Sequence, residues 1–360
     1  MLISFSREKF DARTGGIMVH RSELTNAAPE PEQRGEDMRG DALQKELTIP
    51  LADEMGVAPL GVGAWAWGTS RFWGYGKEYG RGDVESAFRT SVAENVTLVD
   101  TAEIYGNGLS ERIIGEILRE GGFEKRPVVA TKFAPLPYRF GARSLLNAVD
   151  KSLERLGIET IDLYQIHFPN PIFKINGLMD ALAETVEAGK VRRVGVSNYS
   201  ADQMRRAHDR LASHGVPLAS NQVHYSLLNR APETNGVLEA CRDLGVTLIA
   251  YSPIAQGLLT GKYGPGGNRP AGLVRRVGKA FGEQNLKRVE PVVDILREIG
   301  GAHGKEPAQV ALNWLITQKK TLPIPGAKNE RQARQNAGAL GWEMTHEEAE
   351  KLDLATLGWR

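Results

Sequence analysis

Residues 97–133, TLVDTAEIYGNGLSERIIGEILREGGFEKRPVVATKF, hold one complete unit of the fold. A short apolar run ends at Asp100, and a second, VVATKF, carries Lys132 at its end. Between them SERIIGEILRE places isoleucines and leucines at spacings of three and four before Gly121, the pattern of a helix that packs one face on a sheet and stops at a left-handed residue. Strand, helix and strand in this order predict parallel pairing through a crossover. The same alternation repeats in both directions. Strand-like runs occur at 59–65 (PLGVGAW), 161–167 (IDLYQIH), 191–198 (VRRVGVSN), 219–225 (ASNQVHY), 247–253 (TLIAYSP) and 321–327 (TLPIPGA). Helix-like stretches separate them, at 82–95, 142–157, 178–190, 200–215 and 306–320. Eight such strands close a (β/α)8 TIM barrel of the α/β class.

No Pro- or Ser-rich linker interrupts the series, so residues 44–360 are expected to form a single barrel domain. Residues 1–43 are rich in Glu, Arg, Asp, Pro and Gly and lack periodicity, which predicts a disordered N-terminal extension, with Met18 an alternative start. The extension has neither the apolar stretch of a signal peptide nor the acid-poor composition of a transit peptide, and a cytoplasmic location is expected. The apolar runs are far shorter than the roughly 20 residues that span a bilayer, so no membrane association is expected. Forty-five basic and 44 acidic residues nearly cancel, leaving no field to gather nucleic acid and favouring a small neutral partner. The single cysteine, Cys241, excludes disulfides and thiolate clusters and reads as a buried structural thiol. No HEXXH or HXH pair is present, and no metal is expected.

In a barrel of this class the functional face lies at the C-terminal strand ends. Asp100, Lys132 and His167 stand at the ends of three consecutive strands, and Tyr105 follows Asp100 in the adjoining loop. One reading is a buried Asp100–Lys132 ion pair with His167 as a satisfied core histidine. The other is a site for delivering a proton to a carbonyl oxygen during hydride transfer. In that reading Lys132 lowers the phenol pKa of Tyr105 from about 10, Asp100 holds Lys132, and His167 donates to the substrate oxygen. The long Gly-, Pro- and Arg-rich segment 256–284 is the length of a functional loop. GVGAWAWG lacks the spacing of a dinucleotide fingerprint, and GLLTGKY is one residue short of a P-loop and has Tyr263 in place of Ser or Thr.

The segments VDTAEIYGNGLSE, VVATKF, DLYQIH, VGVSNYS, NQVHYSLL, YSPIAQGLLTGKY and IPGAKNERQARQNAGALGW, in this order between Pro59 and Trp342, resemble the aldo-keto reductase superfamily. The likeness is greatest to bacterial and plant-plastid members of undefined substrate, and more distant to pyridoxal reductases and potassium-channel β subunits. It implies NADPH-dependent reduction of a small aldehyde or ketone, with Asp100, Tyr105, Lys132 and His167 as the catalytic tetrad and Tyr105 as general acid. It also implies that Ser197, Asn198 and Gln222 hold the nicotinamide carboxamide, that Tyr251 stacks on the nicotinamide, and that Ser252, Gln256, Gly257 and Lys262 close over the pyrophosphate. Ala64 and Trp65 match the first-strand end beside cofactor and substrate, so Trp65, Tyr105 and His167 are the expected substrate pocket. Lys328, Gln332, Gln335 and Asn336 match the adenosine end. The family more often has Glu where Gln335 stands. Arg275 or Arg276 is a further candidate for the 2′-phosphate.

Plainer readings stand beside these. Ser197, Asn198 and Gln222 also suit capping and turn roles. Lys328 at a helix start opposes the positive helix terminus, which favours a phosphate contact. Trp65, Trp67, Phe72, Trp73, Tyr75 and Tyr79 make either packing over the barrel mouth or an apolar substrate wall. Two other functions are compatible with the same residues: a Schiff-base aldolase with Lys132 as nucleophile, and a binding protein that holds NADPH with little turnover.

Overall fold

The computed structural model describes residues 49–51, 56–139, 141–170, 174–268, 270 and 279–360. The expected N-terminal extension, Arg275 and Arg276 lie outside the described residues.

Eight parallel strands run in chain order around the sheet: β1 (Gly61–Gly63), β2 (Leu98–Asp100), β3 (Val128–Phe133), β4 (Ile161–Ile166), β5 (Val191–Ser197), β6 (Leu218–His224), β7 (Thr247–Tyr251) and β8 (Thr321–Ile324). The ring closes where Gly63 N donates to Pro325 O at 3.0 Å and Gly63 bridges Gly326. The expected (β/α)8 barrel is therefore the fold, although its first strand is three residues long rather than the seven of PLGVGAW.

Alternation along the strands builds the interior. Leu98, Ala130, Leu163, Ala219, Ile249 and Leu322 point inward from six strands and form one buried cluster, joined at its base by Leu51 and Val57. Val57 belongs to, and Leu51 directly follows, a small antiparallel pairing of Ile49–Pro50 with Gly56–Val57, a feature too short to show periodicity in the sequence. The outward side chains meet the helix layer: α1 (Arg81–Ala93), α2 (Leu109–Glu120), α3 (Gly141–Leu156), α4 (Ile175–Glu187), α5 (Ala201–Ala212) and α6 (Val237–Asp243). Before β8 come α7 (Glu283–His303) and α8 (Pro307–Thr317), and after it α9 (Glu330–Ala337) and α10 (His346–Ala355).

Local chemistry sets several helix starts. Ser200 caps α5, its hydroxyl accepting from Gln203 N while the Gln203 side chain accepts from Ser200 N. Pro307 stands at the first turn of α8, where a missing N–H is harmless. Buried Arg230, after β6, clamps the chain end. It bonds Glu233, the Asp353 carbonyl and Thr356 Oγ1, and lies 5.1 Å from the Trp314 ring centre. Cys241 is buried beside Met204, and burial pushes its thiol up to about 12, so it is inert packing. Among the described residues no helix is long and apolar enough to cross a membrane, and no group of three or more His, Cys, Asp or Glu is placed to hold a metal ion.

Candidate active site

Parallel pairing in register brings residues distant in sequence to one end of the barrel. Asp100 at the end of β2 pairs with Ala130, and Lys132 near the end of β3 pairs with Gln165. Lys132 Nζ donates to Asp100 Oδ1 at 2.5 Å and to Thr101 O at 2.8 Å. The second Asp100 oxygen accepts from Gln222 Nε2 at 2.8 Å and from Gln165 Nε2 at 3.4 Å. Both charged groups are buried, so the pair needs these added donors to offset its lost hydration. A lysine enclosed in this way has no path to a carbonyl carbon, and the aldolase reading loses its nucleophile.

Tyr105 begins the 3-10 turn Tyr105–Gly108, and the Lys132 ammonium lies 5.3 Å from its ring centre. Two contacts fix that turn. Glu103 accepts from Ala134 N at 2.7 Å and pairs with Arg139. Gly106 has φ 55°, and a Cβ there would stand 2.5 Å from Gly68 O, so the turn presses against the segment after β1 and excludes any side chain. The expectation that Lys132 lowers the Tyr105 pKa is reversed. Burial, reinforced by the Asp100 carboxylate, raises it well above the ordinary phenol value. The physical reason is that enclosure strips a phenolate of its hydration, and the negative charge of the nearby Asp100 carboxylate adds to that cost.

His167 directly follows β4. Its N–H donates to Phe133 O at 2.8 Å, its carbonyl accepts from Asn198 Nδ2 at 3.1 Å, and its ring stands edge-on to Tyr105 with centres 5.7 Å apart. Burial, aided by the Lys132 charge, lowers its pKa to about 3, so the ring is neutral. Nδ1 is buried with no hydrogen-bond partner among the described residues. The single proton therefore belongs on Nε2, which leaves His167 a donor toward the cavity.

Asp100, Tyr105 and His167 line one cavity of about 980 Å³ that runs to the start of α9. At its reactive end Trp65 stacks on Phe72 at 5.1 Å, meets Trp73 edge-on at 5.3 Å and lies 6.3 Å from the Tyr105 ring. Ile104 and Phe168 extend this apolar lining. Of the expected aromatic group, Trp67 belongs to the packing instead. It is fully buried against Phe88 and its Nε1 donates to Ala327 O at 2.7 Å.

Further along, the polar residues bond to one another. Ser197 Oγ donates to Gln222 O at 2.8 Å, Asn198 Nδ2 to Ser197 Oγ at 3.1 Å, and Tyr251 Oη to Asn198 Oδ1 at 3.1 Å. Tyr251 is backed by His224 in a parallel stack at 5.4 Å. Asn198, Ser252, Ala255 and Gln256 all have φ between 48° and 61°, a concentration of left-handed non-glycine backbone in and beside the cavity wall. Gly257 has φ 101°, which calls for glycine. Lys262 follows on the same rim, with no ion pair among the described residues. Gln332, Gln335 and Asn336 line the far end, where Gln335 Nε2 reaches both Glu306 oxygens at 3.1 and 3.2 Å.

Two expected residues sit differently. Ala64 is fully buried and does not line the cavity, because its backbone faces Asp100 O and its side chain is turned into the core. Lys328 lines the cavity, but its ammonium is taken up by Trp73 O at 2.8 Å and lies 3.7 Å from Glu78. Residues not anticipated include Glu78, Thr260, Glu306 and Arg331. Arg331 had a legible signal, since it stands in the first turn of the helix that Lys328 precedes. Glu78 and Glu306 had none, because only the tertiary fold brings their loops to this rim.

The family model for the aldo/keto reductase family matches residues 59–356. The chain belongs to the aldo/keto reductase family. Among curated members it is 40% identical over 335 residues to a chloroplastic pyridoxal reductase of Arabidopsis thaliana, covering 86% of this chain and 88% of that one. It is 41% identical over 306 residues to an uncharacterized oxidoreductase of Mycobacterium tuberculosis, covering 84% and 91%. Among solved members, the glycerol dehydrogenase of Gluconobacter oxydans aligns with a TM-score of 0.74 at 27% identity, covering 86% of this chain and 94% of that one. An aldo-keto reductase of Klebsiella pneumoniae in complex with NADPH aligns with a TM-score of 0.67 at 27% identity, covering 85% and 94%.

Proposed function

We propose that this family member is an NADPH-dependent oxidoreductase that reduces aldehydes or ketones to alcohols, with Tyr105 as general acid. The observation that carries the reading is the opening of the Tyr105 phenol and the His167 ring on one cavity, directly above the buried Lys132–Asp100 pair. The cavity suits a long dinucleotide. Tyr251 offers a braced aromatic face, the left-handed residues Ser252, Ala255, Gln256 and Gly257 shape a tight turn along which a pyrophosphate would lie, and Lys262 and Arg331 offer cations. The NADPH complex of the Klebsiella pneumoniae relative supports the same choice of cofactor.

When bound, NADPH supplies a hydride to the carbonyl carbon. His167 Nε2–H orients the carbonyl oxygen, and Tyr105 Oη gives that oxygen its proton as negative charge builds there. The raised phenol pKa keeps the proton in place until that moment, and the nearby Lys132 ammonium then stabilises the phenolate. Aldehyde reduction is accordingly expected to show a flat kcat/KM between about pH 5 and 9, because His167 stays neutral and Tyr105 protonated throughout. Alcohol oxidation, which needs the phenolate, rises with pH over the same range. A reduction profile with an inflection near 6.5 would show that His167 titrates as an ordinary imidazole.

Arg331 has no ion pair or hydrogen bond among the described residues, and its cavity position suits the 2′-phosphate. A charge-assisted contact of this kind is worth about 1.5–3 kcal/mol, so Arg331→Glu is expected to weaken NADPH binding at least tenfold and NADH binding much less. Fluorescence titration with both cofactors measures this; equal losses would remove Arg331 from the phosphate site. The reading as a whole is tested by single-turnover oxidation of NADPH with a panel of aldehydes and ketones. Tight NADPH binding without oxidation would favour a binding protein instead.

A further inference from the structure

Lys328 begins the turn into α9, yet its side chain reaches across the cavity rim to the segment 69–79. It donates to Trp73 O at 2.8 Å, lies 3.7 Å from Glu78 Oε2, and is 4.5 Å from the ring centre of Tyr79 and 5.5 Å from that of Trp73. The side chain is 18% exposed, so these charge-assisted and cation–π contacts are poorly screened by water. The segment is secured at its far end as well, where Tyr79 Oη donates to Ala66 O at 2.6 Å. From Trp73 a chain of rings leads to the reacting groups, through Trp65 to Tyr105. Lys328, Glu78, Tyr79, Trp73, Trp65 and Tyr105 all line the same cavity.

We propose that Lys328 is a positioning residue for substrate specificity: it fastens segment 69–79 across the cavity and so sets the Trp73–Trp65 wall against which a bulky apolar carbonyl compound packs. The kinetic part of the proposal rests on the reductase reading; the structural part does not. Trp65 lies beside Tyr105 and Trp73 lies beyond it, so an aromatic aldehyde held at Tyr105 and His167 would cover more of this wall than a small one. The effect of losing the ammonium is therefore graded by substrate size, which a general loss of folding would not produce.

The test uses Lys328→Met, which keeps the stem and removes the charge, with Lys328→Arg and Glu78→Gln as companions. Arg71 and Lys77 are exposed within the segment, so trypsin reports its opening without any cofactor or substrate. Lys328→Met is expected to be cut after these residues about tenfold faster than wild type, Lys328→Arg at the wild-type rate and Glu78→Gln in between. In turnover, Lys328→Met raises KM for benzaldehyde about tenfold, while kcat, KM for propanal and NADPH affinity stay within about threefold. Unchanged trypsin cleavage in Lys328→Met overturns the fastening. A tenfold loss of NADPH affinity with NADH unaffected also overturns the proposal, by assigning the ammonium to the 2′-phosphate. Failure of the wild type to reduce any aldehyde refutes the reductase reading and the specificity role built on it, while the trypsin arm still decides the fastening.

Discussion

Tyr105→Phe is expected to lower aldehyde reduction by a factor of about 10² to 10⁴ while leaving NADPH affinity within about twofold, the usual weight of a positioned general acid. The change removes one oxygen from a ring whose position is set by other atoms. Gly106 still presses on Gly68 O, Glu103 still holds Ala134 N, and the Lys132 ammonium still lies over the ring. Binding and chemistry should therefore separate in this variant. Stopped-flow measurement of NADPH binding and of its oxidation by excess aldehyde reads both in one protein. Retention of more than about a tenth of wild-type turnover would assign the proton to another group, and a parallel collapse of NADPH binding would make Tyr105 structural.

Lys132→Met is expected to cost about 3–5 kcal/mol of stability, because it leaves Asp100 charged and buried with amide donors alone. Gln222 and Gln165 remain on one carboxylate oxygen, and the other loses its sole side-chain donor among the described residues. The double variant Asp100→Asn with Lys132→Met removes the stranded charge and should recover most of that loss. Turnover should remain low in both, since neither retains a cation beside Tyr105. Urea denaturation of the two variants and wild type makes the comparison. A single variant as stable as wild type would mean that Asp100 takes up a proton or water without strain, and the pair would then be less tightly coupled than its 2.5 Å separation indicates.

Much of the architecture is legible because it depends on short-range patterning. Each βα unit announces itself through an apolar run followed by residues at helical spacing, and eight repeats have few ways to bury both faces of a parallel sheet. The positions of Asp100, Lys132 and His167 at strand ends follow from the same pattern. Once the barrel is assigned, three consecutive units must point their C-terminal ends to one side. The chain order alone therefore brings together the centre of the candidate site.

What depended on the tertiary structure is the direction of individual side chains and the charges they meet. The strand-end pattern brings Lys132 and Asp100 near each other, but the raised Tyr105 pKa is set first by burial of the ring and then by the Asp100 carboxylate, which Gln222 and Gln165 hold from distant strands. Trp65 and Trp67 are two residues apart on the same loop. One lines the cavity and the other fills the core, a choice made by the bond from Trp67 to Ala327 O, 260 positions away. Lys328 looked like a phosphate ligand from its place at a helix start, yet Trp73 and Glu78, about 250 positions earlier, draw its ammonium away. The sequence by itself determined the repeat, the barrel and the mouth at which the reactive groups gather, because those follow from periodicity and chain direction. The protonation of Tyr105 and His167, the aromatic wall and the partner of Lys328 were decided only by the tertiary structure, because desolvation and long-range contacts depend on residues that come together after the chain has closed.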